Sequence, residues 1–459
     1  MDKNQKDEQQ FIKMTQTPIP RLITKLAVPT TISMLVTSIY NLADTFFVSK
    51  LSTSASGAVG IVFSLMTIIQ AVGFTLGMGS GSLLSRRLGE KDKKSADMYA
   101  STAFYTSLAL GTVILVFGKL FTRQLMSLLG ATDTIMEYAV AYGNYILWAS
   151  PMMCASFVMN NVLRSEGKAS FAMIGLCTGG ILNIILDPIF IFSLKMETAG
   201  AALATLISQC ISFSILLSMF IFRKSNISMS PKNISFRPKT YFEIVMTGFP
   251  SLSRQGLASI ATVMLNTAAR GYGDAAIAAM TIVTKVCMLV LCVCLGIGQG
   301  FMPVVGYNYG AKRYDRVRKA FRFTITTNTV IMTALGIVLF IFATGIMRIF
   351  RAEDAEVIQI GTAAMRAGCY AMPFMATTVC VNTTLQSLGK SVRATILSCC
   401  RQGLFFIPLI LILPKALGLT GIEFTQAISD VLTFLVSVPF GIWFFSELKK
   451  EEKISANSN

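Results

Sequence analysis

The sequence predicts an all-α membrane protein with twelve transmembrane helices arranged as two parallel six-helix lobes. Three observations carry that prediction. The composition is strongly apolar, the second half of the chain repeats the first, and basic residues alternate between successive connections.

Of 459 residues, 53% are hydrophobic and only 14% are charged. A soluble domain carries about 25% charged residues, so the deficit points to a bilayer as solvent. A helix needs roughly 20 apolar residues to cross the hydrocarbon. Such stretches fall at 26–49, 56–80, 98–118, 136–163, 169–193, 197–222, 242–268, 275–300, 320–346, 356–386, 394–414 and 419–446. The polar start, Met1 to Gln16, lacks the charged-apolar-cleavage order of a signal peptide. The first span is therefore expected to stay in the mature protein.

The repeat is almost gapless. Pro29 matches Pro250, Gly79 matches Gly300 and Gly89 matches Gly310 at a shift of 221. Pro151 matches Pro373, Asn160 matches Asn382 and Lys168 matches Lys390 at 222, and Gly200 matches Gly421 at 221. Self-similarity at a fixed period marks an architectural repeat. Six spans is an even number, so both copies enter from the same side and are parallel. The expected layout is a cytoplasmic tail at 1–20, a first lobe at 21–222, a cytoplasmic linker at 223–241, a second lobe at 242–446 and a cytoplasmic tail at 447–459. Transporters built from such halves hold substrate between them and rock one against the other.

The net charge of +17 raises nucleic acid as a partner, but its placement excludes that reading. Even-numbered connections and both tails carry 28 of the 40 basic residues; odd-numbered ones carry 8, among them Lys50, Lys119, Arg348 and Arg351. This is the positive-inside pattern, with both termini cytoplasmic. The basic face is also expected to attract anionic lipids. The ten cysteines all fall in apolar stretches and there is no histidine. They read as small packing residues rather than disulfides or a zinc site. No Gly-x4-Gly-Lys-Ser/Thr loop is present, which argues against ATP as the energy source. Nothing in the sequence indicates an enzyme or a bound cofactor.

Ionisable groups within spans are costly and mark function. Asp44 and Asp187 each lie 19 residues past the last basic residue on the cytoplasmic side, Lys25 and Lys168. At 1.5 Å per residue both reach one level, about 28 Å along their helices. Thr205 descends to a similar layer from the other side. Asn183 shares a helix stripe with Asp187, as do Tyr40 and Asn41 with Asp44 and Gln209 with Thr205; Asn160 and Asn161 add amides on the fourth span. These oxygens suit Na⁺, by analogy with other hard cations; alternatively, paired carboxylates in a low dielectric bind a proton. The bland reading is that both acids cap or hydrate helix ends at the interface, with Asp187-Pro188 forming a local turn.

The second lobe has Leu265 where the repeat would place Asp44, and holds Arg254, Lys285 and Arg401 near mid-depth, with Asp430 and Glu423 on the last span. Two readings stay open: an ion-pair network that fixes the lobe, or a cationic wall for anionic groups of a substrate. Pro29 interrupts backbone hydrogen bonding in the first span and is expected to be a bending point.

The sequence resembles the multidrug and toxic-compound extrusion (MATE) family. The resemblance is carried by Tyr40-Asn41-Leu42-Ala43-Asp44-Thr45-Phe46-Phe47-Val48, Leu163-Arg164-Ser165-Glu166-Gly167-Lys168, Asn183-Ile184-Ile185-Leu186-Asp187-Pro188, Gly200-Ala201-Ala202-Leu203-Ala204-Thr205 and Gly306-Tyr307-Asn308-Tyr309-Gly310-Ala311. It implies two lobes forming a V and antiport, coupled to Na⁺ or H⁺, that expels organic cationic or zwitterionic compounds from a prokaryotic cell. It places the coupling-cation site on Asp44, Asn183, Asp187 and Thr205. Another branch uses second-lobe acids on spans seven, eight and ten, where this chain has neutral or basic residues such as Lys285. The expected form is a monomer in the cytoplasmic membrane. The alternative function is a flippase for a lipid-linked saccharide, drawing on Arg254, Lys285 and Arg401; a third is a non-transporting membrane scaffold or receptor.

Overall fold

The computed structural model describes residues 3–51, 53–350 and 354–457; Arg351 lies outside them. Fifteen α-helices follow in order among the described residues: α1 (Lys3–Gln16), α2 (Ile19–Ser49), α3 (Thr53–Gly89), α4 (Lys93–Leu120), α5 (Thr122–Leu128), α6 (Asp133–Ser165), α7 (Ala169–Pro188), α8 (Glu197–Ile221), α9 (Pro238–Arg270), α10 (Asp274–Gly310), α11 (Tyr314–Phe350), α12 (Ala355–Ser387), α13 (Ser391–Cys399), α14 (Phe406–Leu417) and α15 (Leu419–Asn457). Turns of π-helix at Ile189–Ser193 and Cys400–Phe405 extend α7 and join α13 to α14. α1 and α5 are short additions; the rest form twelve membrane-length rods, six in each half. Ten of these rods are long and apolar enough to span a membrane by length and composition alone. α9 and α12 match them in length but carry Arg254 and Arg366 within their runs.

Backbone hydrogen bonds within each helix satisfy the peptide groups that a bilayer cannot. What remains is packing between helices, and small residues carry it. In each lobe an asparagine ties two helices. Asn160 donates to the Ala172 carbonyl at 2.9 Å, and Asn382 repeats the contact with the Ala394 carbonyl at 2.8 Å. The lobes meet through glycines arranged by the pseudo-two-fold axis. A side chain on Gly89 would lie 2.2 Å from the Tyr307 carbonyl oxygen, and one on Gly310 would lie 2.1 Å from the Arg86 carbonyl oxygen. Since 86 and 89 correspond to 307 and 310, this contact is reciprocal. Deeper in, Gly79 faces the Ile244 carbonyl and Gly300 faces the Ala27 backbone. Helices approach this closely only where no side chain intervenes. These approaches lie on the half of the molecule that carries the basic residues.

Three features depart from the sequence reading. Residues 3–16 form a helix rather than a loose tail, with Met14 and Gln10 buried. Gln10 Nε2 donates to the Glu166 carbonyl in the first lobe, while Asn308 and Arg313 of the second donate to the Met14 and Thr15 carbonyls. Next, the start of α2 belongs to the second lobe's core: Leu22, Ile23 and Leu26 pack with Phe301, Val304, Leu385 and Phe444. Finally, α15 does not end at 446 but runs to Asn457, where Glu451 accepts from the Tyr309 hydroxyl and Glu452 pairs with Arg318. Hydropathy misses all three because it reads one stretch at a time, whereas each feature is a contact between distant parts of the chain.

Gly79→Val places a branched side chain 2.0 Å from the Ile244 carbonyl oxygen. Overpacking of this kind costs about 1–3 kcal/mol. The expected result is a lower thermal unfolding midpoint in detergent. Gly60→Ala, at a position with open space around it, is expected to leave the midpoint unchanged. Equal midpoints for Gly79→Val and the parent would show that the lobes do not meet here.

Candidate functional site

Beyond Pro29, α2 packs on α7 while Thr31 still lies against Gly296 of α10. Gly180 of α7 admits Val36 and Tyr40 at distances a side chain there would occupy. This close approach sets the α2 face that carries Tyr40 and Asp44 against the α7 face that carries Asn183 and Asp187. α6 and α8 close the remaining sides. Asp44 is 9% exposed, Asn183 2%, Thr205 3%, and Asp187 and Tyr142 0%.

Hydrogen bonds tie each acid to a buried neighbour. Asn183 Nδ2 donates to Asp187 Oδ1 at 3.3 Å and to Thr205 Oγ1 at 3.2 Å. The Tyr142 hydroxyl donates to Asp44 Oδ2 at 3.0 Å. After these bonds, three buried oxygens have no donor: Asp44 Oδ1, Asn183 Oδ1 and Asp187 Oδ2. Buried polar atoms are nearly always satisfied, and an orphan costs about 1–3 kcal/mol. Two carboxylates and an amide oxygen in this buried cluster therefore keep free lone pairs, a donor set that fits a proton or a hard monovalent cation.

The local sequence explains this geometry. Pro188 has no N–H to offer the preceding turn, and the helix continues through the wider π-turn at Ile189–Ser193. Such bulges recur next to functional sites. Asp187 thus sits inside a continuous helical rod rather than in a turn. In α2, Pro29 lies between the first turns, which are buried in the second lobe's core, and the turns that pack on α7. Thr30, Ser33 and Thr37 each donate a hydroxyl to the carbonyl four residues earlier, a bond that favours bending.

Of the residues singled out in the sequence, Asp44, Asn183, Asp187 and Thr205 are brought together. Tyr40 is buried against α7, Asn41 is half-buried on the same helix, and Gln209 lies one turn from Thr205, half-exposed. Asn160 and Asn161 stay apart from the cluster: the first ties α6 to α7, and Asn161 accepts from Arg164, whose guanidinium also reaches Gln299 of the second lobe. Tyr142 is the residue the sequence reading missed. It is one of three tyrosines in α6, with Tyr138 and Tyr145, and no local pattern singles it out; only its repeat partner, Ala364, marks the position as unlike its copy.

In the second lobe Arg401 takes the ion-pair reading. Its Nε lies 2.6 Å from Asp430 Oδ1, and Gln426 donates to the same oxygen at 3.0 Å. Arg401 is therefore not a free cationic wall. Lys285 is exposed. Arg254 is half-buried and lines a cavity between α9, α10, α12 and α15.

The MatE family model matches residues 29–189 and 250–412, one match in each lobe. The chain is 27% identical over 435 residues to the multidrug export protein MepA of Staphylococcus saprophyticus, covering 94% of this chain and 95% of that one. It is 28% identical to a multidrug resistance MATE family transporter solved in an outward-facing conformation, with a TM-score of 0.91 over 96% of this chain and 98% of that one. It is also similar, at 28% identity and a TM-score of 0.89 over 96% of this chain and 98% of the other, to a transporter of the MOP superfamily from Pyrococcus furiosus described as having a binding pocket of reversed polarity. With a family match in each half and the twelve-rod fold shared along nearly its whole length, the chain belongs to the MatE family of multi-pass membrane transporters.

Proposed function

We propose that this protein exports organic cationic or zwitterionic compounds in exchange for Na⁺ or H⁺ entering at Asp44 and Asp187, with both termini in the cytoplasm. The observation that carries this reading is the trio of buried, donorless oxygens on Asp44, Asn183 and Asp187. A small cation bound among them satisfies all three and offsets the charge repulsion between the carboxylates. The relatives named as multidrug export proteins support drug export over the flippase alternative.

Coupling follows from where α2 is held. Its lower half is packed in the second lobe's core and its upper half is held to the first lobe through Asp44 and Tyr142. A cation that draws Asp44 and Asp187 together shifts the upper half about Pro29 relative to the lower half. A ligand shifts such an equilibrium only by its difference in affinity between the two arrangements. The cation favours the arrangement with the acids close, and that arrangement binds the organic substrate less well. Tyr40, Asn41 and Gln209 flank the cation cluster and are the first-lobe candidates for contact with substrate.

The test is efflux of ethidium from vesicles with Na⁺ and pH gradients imposed separately. Asp44→Asn is expected to abolish gradient-driven efflux while inserting normally; full efflux by this variant sinks the mechanism. Tyr142→Phe removes one hydrogen bond to a charged acceptor, worth about 1.5–3 kcal/mol. It should change the cation concentration for half-maximal efflux by about tenfold or more. An unchanged value would remove Tyr142 from the site.

A further inference from the structure

The cavity in the second lobe is the repeat counterpart of the cation cluster in the first. Leu265, Ala364 and Gln426 line it, at the positions that Asp44, Tyr142 and Thr205 hold in the other lobe. Duplication has thus produced two sites of opposite character. The acid has become leucine, and the tyrosine that fills the first site has become alanine, which leaves space. The cavity measures about 260 Å³.

Its charges do not cancel locally. Two guanidinium groups, Arg254 and Arg401, line it, and Asp430 forms its ion pair with Arg401. Among the described residues no carboxylate or hydrogen-bond acceptor engages Arg254. An unpaired cation in a membrane interior is costly and marks a substrate pathway. Glu423 also lines the cavity, but it stands four residues into α15 from the face opposite the basic one, about 6 Å along the helix. Arg254 is 16 residues below the corresponding end of α9, about 24 Å along it. The acid therefore lies near the helix ends and the free cation deeper along the rods. The walls between them are apolar, with Met280, Met288, Met372 and Met375. Methionine adapts to apolar groups of varied shape.

We infer that this cavity binds an amphiphile with a carboxylate or phosphate head, the head placed against Arg254 and the apolar body along the methionine walls. Guanidinium is suited to such a head because its planar fork bonds both oxygens at once. This occupant is anionic and so distinct from the cationic or zwitterionic compounds of the export reading, and its transport does not follow from that reading. Its binding is tested independently of that reading, because an equilibrium measurement needs no gradient and no cation site.

The experiment titrates purified protein in phosphatidylcholine nanodiscs with 8-(dansylamino)octanoate, its methyl ester and ethidium, following fluorescence. The acid is expected to bind at least tenfold more tightly than the ester. Arg254→Met should remove that difference, leaving the ester unchanged, and Arg254→Lys should restore part of it. Unaltered ethidium binding by Arg254→Met shows that the variant is folded. Equal affinity for acid and ester in the parent protein, or an unaltered preference in Arg254→Met, overturns the inference. Adding phosphatidylglycerol to the nanodiscs separates the sources of the head group. Competition identifies a bilayer lipid as occupant, its absence a free amphiphile, and either supports recognition of the anion. Asp44→Asn is expected to retain the preference, so loss of coupled efflux and loss of this site are read apart.

Discussion

α2 is shared between two bodies, and the rest of the architecture follows from that division. Its first turns are packed among Phe301, Val304 and Phe444 of the second lobe. Its last turns carry Asp44 to the hydrogen bond from Tyr142 in the first. A helix held at both ends by different bodies reports any movement between them. Pro29 and the hydroxyl-bonded turns around it are the weakest part of its backbone ladder, so strain between the ends concentrates there.

From the basic side to mid-depth the lobes meet closely where glycines remove the side chains that would keep the backbones apart. The same side collects inter-lobe hydrogen bonds. Arg164 reaches Gln299, Arg86 donates to the Leu388 carbonyl, and α1 bonds to both lobes. The motif Leu163–Lys168 thus has a physical role at the junction. Its arginine crosses to the second lobe, and its glutamate presents a carbonyl to α1. Packing is dense where the lobes touch, and the polar cluster and the second-lobe cavity lie beyond that contact, toward the opposite face.

Near-identical folds in the two lobes carry different chemistry. The asparagine ties at 160 and 382 are kept in both, since each satisfies a backbone carbonyl between helices. The pockets are not kept. One is filled by tyrosine and holds orphaned oxygens; the other is emptied by alanine and holds an unpaired guanidinium. The scaffold tolerates this because helix backbones satisfy themselves, so a pocket's side chains can change without loss of the rods around it.

Much of this was legible without coordinates. The twelve spans, the repeat and the basic asymmetry follow from the cost of placing polar groups in hydrocarbon, which acts on each stretch of sequence by itself. The layer shared by Asp44, Asn183, Asp187 and Thr205 also follows, because rise per residue fixes depth along a helix. Rotation and neighbours do not follow. Which face of α6 meets α2 decides that Tyr142, rather than Asn160 or Asn161, joins the acids. Similarly, the sequence left Arg401 open between a paired and a free cation, and only the approach of α15 to the π-turn at Cys400–Phe405 decides that Asp430 neutralises it while Arg254 stays alone. The docking of α1 and the division of α2 between two cores lie equally beyond local pattern. Depth is a property of one helix, whereas contact requires two, and the second helix comes from anywhere in the chain.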